Sequence, residues 1–168
     1  THITLGDMDV QIIPTDPAEN YKKTGVRDAN LIAYTAKVSA FGHSAYLAAD
    51  LEADGGYEDR IAPIVGHVDM LKAGHHGLPT SNSPAFMKAL SPSMIAQTVP
   101  EWYIPDNLTQ SVIHGDSSWV PLVDLWSSAH IPSLIATFGS SGITYNDLSA
   151  VSWGHEYGQE SPRAWWFK

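Results

Sequence analysis

From Leu31 to Phe41 the chain alternates, with Leu31, Ala33, Thr35, Lys37 and Ser39 on one side and Ile32, Tyr34, Ala36, Val38 and Ala40 on the other. Strand side chains point to the two faces in turn, so a period of two over this length predicts a β-strand. The turn Phe41-Gly42-His43-Ser44 folds it back onto Ala45-Tyr46-Leu47-Ala48-Ala49, which predicts a hairpin. Upstream, Ile3-Thr4-Leu5 and Val10-Gln11-Ile12-Ile13 form a second strand pair turned at Gly6-Asp7. A polar loop from Pro14 to Asp28 separates the two pairs.

The pattern changes after Asp50. Tyr57, Ile61, Ile64 and Val65 recur at helical spacing, with Pro63 expected to end or kink the helix. Val68 to Ala73 is a short apolar strand ending at Gly74-His75-His76-Gly77. Ser83 is a helix cap with Pro84 at the first helical position, and the helix runs through Leu90. Ser93 to Thr98 has the character of a buried strand. Trp119, Leu122, Val123 and Trp126 predict one face of a longer helix, followed by strands at 133–138 and 142–147. Strands alternating with helices imply an α/β sandwich from Asp50 onward. Without repeats or low-complexity tracts, residues 1–150 read as one unit, followed by an aromatic tail at 151–168.

A chain of 168 residues can bury a core without staples. Its 18 acidic side chains outnumber 9 basic ones, for a formal charge of −9, which argues against nucleic acid as a partner. With 43% hydrophobic and 16% charged residues, disorder is not expected. No apolar stretch approaches the ~20 residues that span a bilayer. The absence of cysteine excludes disulfides, thiolate metal sites and cysteine nucleophiles. Eight histidines among many carboxylates make a metal site the first chemistry to test.

Asp50, His75 and His76 each stand where an apolar strand gives way to a loop, and strand ends form the ligand crevice of α/β sheets. A carboxylate and an imidazole converging there suit Zn²⁺ or another divalent ion. The competing readings are a surface turn for the histidine pair and a cap or turn residue for Asp50. Elsewhere, Asp50 to Gly56 is only loosely like a calcium loop and reads as a solvated acidic turn. Ser117 and Ser118 near His114 and Asp116 read as a loop with a helix cap rather than a hydrolase triad, and Lys22-Lys23 as a solvated pair. Trp102-Tyr103 could receive a quaternary ammonium, although aromatic cover over the core is the plainer reading.

Three stretches carry a family resemblance: Leu47-Ala48-Ala49-Asp50-Leu51-Glu52, Val68 to Gly77, and Leu78-Pro79-Thr80-Ser81-Asn82-Ser83, followed in order by Leu90 to Thr98. Over about residues 8–147 they resemble the second half of a metallo-β-lactamase-fold hydrolase, similar to bacterial surface phosphorylcholine esterases and the hydrolase domain of DNA-uptake channel proteins. The resemblance implies the C-terminal half of an αββα sandwich. It puts Asp50 at the family's metal-bridging aspartate and the His75-His76 pair at its last histidine ligand, with His76 favoured and His75 beside it as a ligand, supporting group or substrate contact. It implies two divalent ions, usually zinc, ~3.5–4 Å apart and activating water against a phosphoester. Asp50 and His76 would then be the catalytic pair.

The family's His-x-His-x-Asp-His motif is absent here. Gly66-His67-Val68-Asp69 lies on the wrong side of Asp50 and has the wrong spacing. The start at Thr1 and the missing motif together lead to the expectation that an N-terminal half lies elsewhere, removed by cleavage or carried on another chain. Expected partners are that half or a second copy, and a cell-wall polymer or small phosphoester as substrate. The alternative is a non-catalytic cell-surface binding module that keeps the fold without metal chemistry. The tail, from Trp153-Gly154-His155 to Trp165-Trp166-Phe167-Lys168, resembles the start of a cell-wall-binding repeat, or else is a terminal strand. The first reading implies a secreted or surface-bound protein.

Overall fold

A computed structural model describes residues 1–15, 30, 33–78, 80–98, 124–127 and 134–146. Its centre is a seven-stranded mixed sheet in chain order. The strands are β1 (His2–Leu5), β2 (Met8–Pro14), β3 (Tyr34–Ala40), β4 (His43–Leu47), β5 (Met70–Lys72), β6 (Met94–Gln97) and β7 (Asp124–Ser127). The first four are antiparallel neighbours, whereas β4 to β7 run parallel. Helix α1 (Tyr57–Val65) lies in the crossover from β4 to β5, and α2 (Pro84–Leu90) in the crossover from β5 to β6. A separate antiparallel hairpin joins β8 (Ala136–Gly139) to β9 (Gly142–Tyr145). The described residues are thus mixed α/β, with α1 and α2 between parallel strands.

Both expected hairpins are present, with Ile3 opposite Val10 and Val38 opposite Ala45. Ser83 caps α2 as its sequence implies, its hydroxyl accepting from Phe86 N at 3.3 Å, and Pro84 occupies the first turn, where no N–H is needed. Pro63 does not end α1. The helix continues to Val65 and closes with Gly66 N donating to Ala62 O at 2.9 Å.

Trp126 is not helical: Asp124–Ser127 is a strand paired in parallel with β6. The helical reading rested on the spacing of Trp126 from Trp119, Leu122 and Val123, whereas the pairing of Asp-Leu-Trp-Ser with β6 makes this segment a strand. Trp119, Leu122 and Val123 lie outside the described residues, as do the polar loop from 16 to 28, Lys22-Lys23, Trp102-Tyr103, the 114–118 cluster and the tail.

The strand register sorts the sheet into two faces. One carries Ile13, Tyr46, Leu71 and Ile95, all buried against Ile61 and Val65 of α1 and Phe86 and Leu90 of α2. Tyr46 meets Phe86 edge-on at 6.2 Å between ring centroids, and Lys37 Nζ donates to Val65 O at 2.6 Å, fixing both helices on this face. Each such side chain fully removed from water contributes about 1.5–3 kcal/mol. The opposite face, over β1 to β4, carries Ile3, Leu5, Tyr34 and Leu47, which remain 46%, 57%, 70% and 44% exposed.

Candidate metal centre

Strands β4, β5 and β6 run parallel, so their C-terminal ends open on one edge of the sheet. Asp50 follows β4, the His75-His76 pair follows β5 and Thr98 follows β6. The crevice expected at parallel strand ends thus collects residues far apart in sequence.

The backbone between these points is tightly specified. Ala49, His75 and His76 take φ of 48°, 44° and 58°, left-handed conformations that cost an L residue free energy and turn the chain sharply. His75 N donates to Ala49 O at 3.0 Å, which ties the two loops together. Gly74 is clasped by Asn82, whose Nδ2 donates to Gly74 O at 2.9 Å while its Oδ1 accepts from Gly74 N at 2.8 Å. A Cβ on Gly74 would lie 2.8 Å from Leu51 O, so only glycine permits this approach. Asn82 N and Ser83 N in turn donate to the buried Glu58 carboxylate. Burial pushes Glu58 above the usual carboxylate range, against the lowering effect of these hydrogen bonds.

The two histidines are placed differently. His76 Nδ1 lies 2.6 Å from Thr98 O and 2.9 Å from Thr98 Oγ1; its N–H donates to the carbonyl, so in the neutral ring Nε2 is the lone-pair nitrogen. That Nε2 faces Asp50 Oδ1 at 3.6 Å. His75 Nδ1 instead lies 2.8 Å from Glu52 Oε1, and its Nε2 is 3.5 Å from Asn30 Nδ2. Both His75 nitrogens therefore face protein partners, and Asp50 meets His76 rather than His75.

Glu52, expected on a solvated acidic turn, is buried at 7% exposure. The pairing with His75 carries it inward, since a buried carboxylate requires a partner. Lys72 is, like Thr98, a further contributor that its place in the sequence does not reveal. Its Nζ donates to Ala49 O at 2.9 Å and lies 4.0 Å from Asp50 Oδ1. Burial lowers its ammonium's affinity for its proton, and Asp50 opposes that shift.

The donor set of Asp50 and His76 fits a divalent cation. A carboxylate oxygen and an imidazole lone pair face one another, and the second imidazole nitrogen is oriented by a backbone carbonyl, the usual support for a metal-ligating histidine. Among the described residues no group of three or more His, Cys, Asp or Glu gathers to complete a coordination shell. Also among these residues, no helix is long and apolar enough to cross a membrane. Comparison with protein-family models and with curated proteins finds no match for this chain.

Proposed function

We propose that this chain supplies part of the active centre of a metal-dependent phosphoesterase, in a metallo-β-lactamase-like αββα sandwich whose remaining ligands come from another segment. The observation that carries this reading is the disposition of His76. Thr98 fixes its tautomer, and its open nitrogen looks at Asp50 across 3.6 Å. A surface turn has no need to orient an imidazole this way.

In this reading Asp50 and His76 hold a divalent ion, with zinc and a two-ion site expected from the family resemblance. Such ions supply a water made nucleophilic near neutral pH and polarise the phosphoryl oxygen. The chain's own contributions are positional. Thr98 holds the His76 ring, while Glu52 holds His75 beside the site with Nε2 on the side of Asn30. His75 thereby serves as a supporting group beside the site. The exposure of Ile3, Leu5, Tyr34 and Leu47 on one sheet face favours a second layer over β1 to β4, as the complete sandwich requires. The substrate class is a phosphodiester such as phosphorylcholine on a cell-surface polymer, which gives the protein an extracellular site of action.

The test is hydrolysis of p-nitrophenyl phosphorylcholine by the intact protein, with metal content measured on the same samples. Asp50→Ala and His76→Ala are expected to lose both metal and turnover, and full activity in both variants would refute the assignment. The 168-residue chain alone is expected to show little turnover.

A further inference from the structure

Ala49 sits in a left-handed conformation, φ 48°, immediately before Asp50. A non-glycine residue stays there only when its surroundings hold it. Its carbonyl oxygen is held twice, by His75 N at 3.0 Å and by Lys72 Nζ at 2.9 Å. The Lys72 side chain is only 19% exposed, and Leu47, which pairs with Lys72 across the parallel strands, lies two residues before Ala49. The ammonium is thus closer to the Ala49 carbonyl than to the Asp50 carboxylate, 4.0 Å away. A lysine whose task was only to neutralise Asp50 would sit against the carboxylate.

We infer that Lys72 is a positioning residue: by clasping the Ala49 carbonyl it fixes the strained turn that presents Asp50 to His76. The inference deepens the metal-site reading and rests on it for its consequence, although the clasp itself is testable alone. A simple charge effect has the opposite sign, because an ammonium beside Asp50 repels a divalent cation and its removal would tighten binding.

Two measurements on the 168-residue chain separate these cases: zinc affinity by titration, and hydrogen exchange at the His75 amide relative to the Leu71 and Ile95 amides. Lys72→Met is expected to speed His75 exchange about tenfold by freeing the turn. It is also expected to weaken zinc binding about 10–100-fold, as loss of a supporting partner does. Lys72→Arg, which keeps a donor and the charge, should restore both. Lys72→Gln, whose amide ends one bond short of Ala49, is the second loss variant should the Met variant not fold. Unchanged His75 exchange, or zinc binding that is equal or tighter in the loss variants, would overturn the inference. If Asp50→Asn and His76→Ala bind zinc like the parent chain, the metal-site reading fails instead, and the exchange measurement still decides whether the clasp exists.

Discussion

Glu52 and His75 form a close pair, with Oε1 lying 2.8 Å from Nδ1 and the carboxylate almost wholly enclosed. The pair explains why two adjacent histidines have different tasks: Glu52 claims one, and Asp50 faces the other. Removing either partner strands a buried polar group. Glu52→Gln is expected to lower unfolding free energy by about 1–3 kcal/mol, and His75→Ala to cost a similar amount, both read by urea denaturation. Unchanged midpoints would show that the contact does not contribute.

Stability should respond to pH through two carboxylates of opposite sign. At Asp69 burial raises the pKa, but the Ser44 N–H at 2.8 Å, the hydrogen bond from His43 and the charges of His43 and His67 outweigh it, holding the group below its ordinary value. A depressed folded pKa contributes stability above the unfolded value of about 3.9, and this is lost as pH falls through the folded value. Melting temperatures should therefore drop below about pH 4, and less steeply in Asp69→Asn.

Glu58 behaves in the reverse sense. Its raised pKa makes its contribution greatest below about pH 4.3, and that contribution declines as pH rises through the folded value. Thermal melts of the parent chain from pH 4 upward should carry this decline, and Glu58→Gln should abolish it. An identical slope in the two proteins would contradict the assignment.

Gly77 closes the histidine loop with φ of 87°, and a Cβ there would lie 2.3 Å from Gln97 Nε2. Although Gln97 is a flexible side chain, it is fully buried and has little room to withdraw. Overpacking and the left-handed backbone together predict that Gly77→Ala costs about 2 kcal/mol or more. Denaturation should show the loss, and a parent-like midpoint would mean that Gln97 moves freely.

Local elements were legible because their signals are local. Alternation marked β3, the Phe41-Gly42 turn marked the hairpin, and Ser83-Pro84 marked the start of α2. β7 was hidden because Trp126 falls at helical spacing from Trp119, Leu122 and Val123, and only the pairing with β6 makes Asp124–Ser127 a strand. The candidate site divided in the same way. Asp50 and His76 stand at strand ends that sequence can locate. Glu52, Lys72 and Thr98 act through pairings between residues more than twenty positions apart, which no spacing rule records. Glu52 looked solvated because its partner, His75, arrives from the next strand's loop.

In the proposed site Asp50 and His76 act together as metal donors. Zinc titration of the chain, followed at the imidazole nitrogens by NMR, tests this most directly. Zinc should shift His76 Nε2 while leaving the His75 nitrogens in place, and Asp50→Asn should weaken binding at least about tenfold, since losing even an outer-shell partner of a ligand costs about that much. Zinc engaging His75 instead, or binding unaltered by Asp50→Asn, would contradict the account.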